Sequence, residues 1–225
     1  MKLSALSALS ALSLLAALAT ATLPSLRAEE GWVSMFNGKD LTGWKTNAST
    51  EDKPDEKTTV FTVEDGKLKV SGGRAHIFFV GPTGDAKFKN FEFKAKMMTT
   101  PGSNSGIYFH TNFEEKGWLS KGFECQVNAT HSDRKKTGGL YSVADVLDNA
   151  PNKDNVWCDY EIKVEGKHVV IKIDGKVTTD WTQPEGWEPP KGMPGRSIGE
   201  GTIALQGHDP KSTTFYKDLS IRPLK

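Results

Sequence analysis

Three short stretches of this 225-residue chain place hydrogen-bonding side chains at every second position. In "GFECQVN" (122–128), Glu124, Gln126 and Asn128 alternate with Phe123, Cys125 and Val127. In "NSGIYFHT" (104–111), Asn104, Tyr108 and His110 share one parity, and Ile107 and Phe109 hold the other. In "GTIALQGHD" (201–209), Gln206 and His208 oppose Ile203 and Leu205. Successive side chains of an extended chain point to opposite faces. If the three strands share a sheet, one face therefore gathers a carboxylate, several amides, imidazoles and a phenol. That set suits a sugar, because amides and carboxylates pair with hydroxyls while aromatic faces cover the apolar side of a pyranose. A half-wet antiparallel sheet also carries polar residues with no further role. Here "FKAKMMTT" (93–100) displays that ordinary solvent face, built from lysines and threonines instead of amides.

The spacing disfavours several chemistries. A retaining glycosidase needs two carboxylates about 5 Å apart, yet the positions two and four after Glu124 are the amides Gln126 and Asn128. "GSNSG" (102–106) misplaces its serines for a nucleophile elbow, and no strand-to-helix turn follows it. The five histidines stand singly at 76, 110, 131, 168 and 208, without the close pair of a zinc helix. His110, His131 and His208 join the polar constellation, whereas His76 and His168 read as surface strand residues.

The elements that must position these groups are strands. "TVFTV" (59–63), "KLKVS" (67–71), "HIFFV" (76–80), "FEFKAKM" (91–97), "SGIYFHT" (105–111), "CDYEIKVE" (158–165) and "HVVIKID" (168–174) all show period two. Asp65-Gly66, Glu165-Gly166 and Asp174-Gly175 fall between such runs and suit tight hairpins. No segment of the mature chain keeps helical periodicity beyond about two turns. The expected class is all-β, a sandwich or barrel of short antiparallel strands. "NASTEDKPDEK" (47–57) reads as a polar loop. "WTQPEGWEPPKGMPGRSIGE" (181–200), rich in Pro and Gly and holding two Trp, reads either as a ligand-binding loop or as one packed down by its own tryptophans.

Lys2 followed by the Ala/Leu/Ser run from Leu6 to Leu18 predicts a secretory signal within residues 1–28, cleaved after Ala21 or as late as Ala28. The mature chain, 29–225, is then expected as one exported domain, secreted or periplasmic, with no lipid or membrane anchor. Its 27 basic and 28 acidic residues give no electrostatic case for a nucleic-acid partner. The "DRKK" run (133–136) reads as a solvated loop. Cys125 and Cys158 either pair or remain separate buried thiols, which spacing alone leaves open.

Taken together, "GWVSMFNGKDLTGW" (31–44), "NSGIYF" (104–109), "GFECQV" (122–127), "HSDRKKTGGLY" (131–141), "WCDYEIKVEGKHVVIKIDGK" (157–176) and "GTIALQGHDPKSTTFYKDLSIRPL" (201–224) resemble the 3-keto-disaccharide hydrolase domain family in content and order. The resemblance implies a concanavalin A-like jelly roll with a ligand site on the concave face of one sheet. It also implies cleavage of glycosides whose C3 hydroxyl has been oxidised to a ketone. Such a ketone acidifies the C2 proton, so one base can remove it and expel the C1 oxygen, after which water adds. On that reading Glu124, His208 and His131 are the catalytic candidates, with Glu124 or His208 as base. Asn104, Tyr108, His110, Gln126, Tyr141 and Gln206 are the substrate-binding candidates. No cofactor is implied with certainty, and a divalent metal polarising the ketone is compatible with the chemistry. The family pattern carries Arg where this chain has His110. The competing reading is a non-catalytic carbohydrate-binding module using the same face, with Trp118, Trp181 and Trp187 near loops.

Overall fold

The computed structural model describes residues 30–47 and 60–225. The signal segment, most of the polar 47–57 loop and Thr59 lie outside the described residues. No helix occurs among those residues, so none is long and apolar enough to cross a membrane. In chain order the strands are β1 (Val33–Ser34), β2 (Trp44–Thr46), β3 (Phe61–Glu64), β4 (Lys67–Ser71), β5 (Ala75–Phe79), β6 (Phe91–Thr99), β7 (Asn104–Thr111) and β8 (Phe123–Asn128). They continue as β9 (Lys135–Leu140), β10 (Ala144–Leu147), β11 (Cys158–Glu165), β12 (His168–Ile173), β13 (Lys176–Thr182), β14 (Thr202–Gly207) and β15 (Thr213–Pro223).

Two antiparallel sheets form a jelly-roll sandwich. The back sheet runs β13-β12-β11-β6-β15-β4-β3, with β1 beside β15, and the site sheet runs β10-β9-β8-β7-β14-β5-β2. Hairpin turns at Asp65-Gly66 and Asp174-Gly175 have both residues at positive φ, the twist that two-residue loops require. The sheets read differently along their strands. In β6, Phe91, Phe93, Ala95 and Met97 are buried, and Glu92, Lys94 and Lys96 between them are half-exposed. In β7, β8 and β14 every residue is buried, so both faces are covered.

The inner faces share one apolar core. Phe109, Phe123, Cys125, Val127, Ile203 and Leu205 from the site sheet meet Phe91, Phe93, Tyr160, Ile162 and Ile171 from the back sheet. Burial of each large apolar side chain contributes about 1.5 to 3 kcal/mol. Two buried phenols tie the sheets together. Tyr160 donates to the Gln126 carbonyl at 3.1 Å, and Tyr216 hydrogen-bonds the Ser105 hydroxyl at 3.0 Å. These bonds hold the backbone of β8 and β7 directly behind the polar constellation. Cys125 and Cys158 are both buried and free, one in each sheet.

Candidate active site

The site is built on the outer face of β8, β7, β14 and β5. Tyr108 sits opposite Glu124, Gly106 opposite Gln126, and Asn104 opposite Asn128. Leu205 pairs with Ile107, which carries Gln206 to the level of Gly106, and Gln206 itself pairs with His76. A row thus runs Gln126, Gly106, Gln206, His76 across the sheet. Gly106 is the gap in that row. A Cβ there would lie 2.8 Å from the Glu124 Oε1, so the missing side chain is what lets the carboxylate fold over the floor.

Glu124 is the hub of a buried network. Its Oε2 accepts from the Tyr108 hydroxyl at 2.8 Å and from Arg196 Nη2 at 3.1 Å, and its Oε1 accepts from Gln206 Nε2 at 3.4 Å. Gln206 Nε2 also donates to the Tyr108 oxygen at 3.0 Å. Burial, reinforced by the adjacent carboxylate, pushes the Tyr108 phenol well above its usual range, so it remains a donor. Arg196 comes from the long loop after β13. Trp187 donates from its indole to the Arg196 carbonyl at 2.7 Å and packs on Trp181 at 5.1 Å, and Trp181 in turn packs on Phe123 of the core. Gly195 accepts at its carbonyl from the Gly122 N–H at 3.0 Å, and the chain passes Ser120 so closely that a Cβ on Gly195 would lie 1.9 Å from the Ser120 oxygen. The two readings of that loop therefore hold together: its tryptophans pack it down, and its Gly192–Arg196 stretch walls the site.

The resulting cleft has a volume of about 490 Å³ and is lined by Asn104, Tyr108, Trp118, Glu124, Gln126, Tyr141, Arg196, Gln206 and His208, with Asp133 at its wall. Arg196 lies between two rings, its guanidinium 5.6 Å from Tyr108 and 5.8 Å from Tyr141. At the other side, His208 Nδ1 meets Asp209 Oδ2 at 2.9 Å, and Ser212 donates to the same oxygen at 2.5 Å. Against the upward push of partial burial, the bonds from Ser212, His208 and the Lys211 N–H hold Asp209 below the usual carboxylate range. An ionised carboxylate only accepts, so Nδ1 is the donor of this bond, and in the neutral ring the lone pair then falls on Nε2. His131 stands beside this pair, ring to ring at 5.5 Å from His208. Its Nδ1 accepts from the Asp133 N–H at 3.1 Å, and burial followed by the neighbouring His208 lowers its pKa. His131, His208 and Asp209 bring potential metal-ligating atoms within 4.8 Å of one another. Asp209 is engaged by His208, Ser212 and the Lys211 N–H, which fixes the orientation of the His208 ring.

Of the residues expected from sequence, Glu124, Gln126, Gln206, His208, Asn104, Tyr108 and Tyr141 line the cleft, and His131 adjoins it through His208. His110 does not reach it. A bulge in the β7–β14 pairing gives His110 a φ of 55°, which breaks the alternation and turns the ring toward Phe91 and Phe109. There its Nε2 meets the Lys89 carbonyl at 2.9 Å, its Nδ1 accepts from the Gly199 N–H at 3.2 Å, and burial lowers its pKa to about 4. His110 thus fastens the Lys89 and Gly199 segments and is not among the residues that line the cleft. His76, expected at the surface, is fully buried beneath Trp118 and Tyr108, and burial lowers its pKa to about 3. His168 lies half-exposed at the surface as expected, paired with Asp180 at 2.7 Å. The 133–136 run is solvated only in part, because Lys136 is buried in β9 and donates to the His131 carbonyl at 2.7 Å. The sequence reading missed Arg196 and Asp209. The one signal for Arg196 was a cation inside a loop rich in Trp, Pro and Gly.

A polar cleft on one face of a jelly roll, floored by amides and edged by aromatic rings, defines a carbohydrate-active protein. Comparison with known proteins agrees. The sequence matches the 3-keto-alpha-glucoside-1,2-lyase-like domain over residues 31–222, and the chain belongs to that family. It is 32% identical over 84 residues to a 3-keto-disaccharide hydrolase of Bacteroides thetaiotaomicron, a match covering 36% of this chain and 27% of that protein. A Parabacteroides distasonis protein provisionally assigned as a glycosyl hydrolase superposes with a TM-score of 0.71 at 23% identity, covering 87% of this chain and 95% of its own. The carbohydrate-binding module CBM66 of Bacillus subtilis shares the fold with a TM-score of 0.53 at 15% identity, over 80% and 95% of the two chains.

Proposed function

We propose that this protein is an exported enzyme that cleaves 3-keto-glycosides by elimination followed by hydration. The observation that carries the reading is the division of labour between Glu124 and His208. The Glu124 carboxylate is committed to three protein donors, which leaves it poorly placed as a nucleophile or base. His208 is held at the cleft wall by Asp209 through Nδ1, which makes Nε2 the basic nitrogen of its neutral ring. One base of this kind is sufficient when a C3 ketone acidifies the neighbouring C–H. His208 takes the C2 proton, the electron pair forms the C1–C2 double bond, and the aglycone leaves with the C1–O pair and accepts a proton. Water then adds at C1. His131, beside His208, is the candidate for that second proton transfer. Glu124 acts by fixing Tyr108, Gln206 and Arg196.

Incubation with 3-keto-trehalose and 3-keto-sucrose tests the proposal, with release of free sugar as the expected result. No release across a panel of such substrates would count against it. The reading as a binding module draws on Trp118, which is 43% exposed at the cleft edge as a stacking platform would be. Calorimetry with unoxidised oligosaccharides distinguishes the two, since the module predicts tight binding without turnover.

A further inference from the structure

The amides of the cleft floor are oriented by their partners, which determines what they offer a ligand. Gln206 gives its NH2 to Tyr108 and Glu124, Gln126 gives its own to the Lys135 carbonyl at 3.4 Å, and Asn104 directs its NH2 at His131 Nδ1, 3.5 Å away. What remains is three buried acceptors, Gln206 Oε1, Gln126 Oε1 and Asn104 Oδ1, without a hydrogen-bond partner among the described residues. Arg196 Nη1 is the buried donor on the same cleft in the same condition, on a residue only 6% exposed. Unmet buried polar atoms are costly, and native sites retain them where a ligand completes them.

This asymmetry assigns a sugar's groups. Hydroxyls donate and can satisfy the three amide oxygens. A ketone oxygen only accepts and would be repelled by all three. We propose that Arg196 is the residue that recognises the C3 carbonyl oxygen and stabilises the negative charge it gains when the C2 proton leaves. The assignment rests on the 3-keto-glycoside reading above and specifies its oxyanion donor. The geometry suits the role. Nη2 is tied to Glu124, so Nη1 is presented in a fixed plane, and the Trp187 and Gly195 contacts hold the loop that carries it. A preorganised donor acts where charge develops and adds little to ground-state binding.

Arg196→Lys keeps a cation for Glu124 but lacks the second arm of the guanidinium. It should lower kcat on 3-keto-trehalose by roughly 100- to 1,000-fold, with KM changed by less than about threefold, as for an interaction made chiefly in the transition state. In heavy water, NMR should show wild-type protein exchanging the C2 proton of a methyl 3-keto-glucoside and the variant losing that exchange in parallel. In Arg196→Ala, added guanidinium should restore part of both signals at concentrations that leave the variant's unfolding midpoint unchanged, which separates charge stabilisation from structural repair and stays readable if the lysine variant folds poorly. If the wild type turns over substrate and Arg196→Lys keeps its kcat and its exchange, this assignment is overturned and the function stands. A wild type that neither cleaves nor exchanges overturns both.

Discussion

The outward faces of the two sheets are both polar, and they behave in opposite ways. On the back sheet, Lys96 reaches Asp159 at 2.6 Å, Lys163 reaches Glu165 at 2.9 Å, and Arg222 pairs with Glu92, all with side chains from 25% to 59% exposed. On the site sheet, Tyr108, Glu124, Gln126 and Gln206 are at most 6% exposed, and Tyr108, Glu124 and Gln206 bond to one another. The strands are equally regular, so the difference lies above them. Water covers the back sheet. Loops carrying Trp118, Leu119 and Arg196 cover the site sheet and remove it from solvent. A polar group in water has its partners supplied, whereas a polar group under a loop keeps only those the fold provides.

The largest test of this contrast is catalytic. His208→Ala should lower kcat on a 3-keto-disaccharide by about 10²- to 10⁴-fold through loss of the base, measured by sugar release under saturating substrate. A loss below tenfold would remove His208 from that role.

Next comes stability. Glu124→Ala leaves the buried Arg196 guanidinium without its carboxylate, so the protein should lose about 3 to 5 kcal/mol in urea unfolding. Glu124→Gln keeps the shape and two acceptor contacts and should lose less. Equal losses for the two variants would show that the negative charge alone, not shape or the remaining acceptor contacts, sustains the hub.

The buried histidines predict a pH dependence of middle size. His76 titrates near 3 when folded because burial disfavours its cation, against an ordinary value near 6.5. Below about pH 6.5 the unfolded chain gains a proton that the folded chain refuses. Stability is therefore full above that value and declines as the pH falls toward 3, by at most about 1.4 kcal/mol per pH unit for this group. His110, lowered to about 4 by its burial, adds the same sign over the range from 6.5 to 4. Unfolding curves from pH 7.5 to 5 should show the decline, and His76→Gln should flatten it. An unchanged slope in that variant would assign the effect elsewhere.

These residues also show what the sequence could and could not reveal. The alternation of Glu124, Gln126 and Gln206 with Phe123, Cys125 and Leu205 was legible because a strand forces period two on both sets at once. His110 shares that parity on paper, but a bulge at positive φ ends the alternation just there, and one residue's dihedral leaves no mark in periodicity. His76 was misread because its cover comes from Trp118, 42 positions away, so its burial is a property of the tertiary fold. Arg196 was missed for the related reason that loops have no period. Its position follows from Gly195 passing Ser120 and from the tryptophan pair, contacts that exist only once both sheets have formed.

The smallest expected effect is the control on the whole comparison. Lys96 and Asp159 form the shorter of the back-sheet lysine pairs, at 2.6 Å, with side chains 43% and 52% exposed. Distance alone would rank this pair above the 3.1 Å contact between Arg196 and Glu124. Exposure reverses the order, because in water the Coulomb gain is small and the long lysine loses rotamer freedom to hold one geometry. Lys96→Ala should therefore cost no more than about 1 kcal/mol, with that cost shrinking further when unfolding is measured in molar salt. The Glu124→Ala loss should keep most of its size under the same salt, since both side chains of that pair are buried and screened little by ions. If both losses fall together as salt rises, the covering loop does not isolate the cleft from solvent, and the contrast between the two faces fails at its physical root.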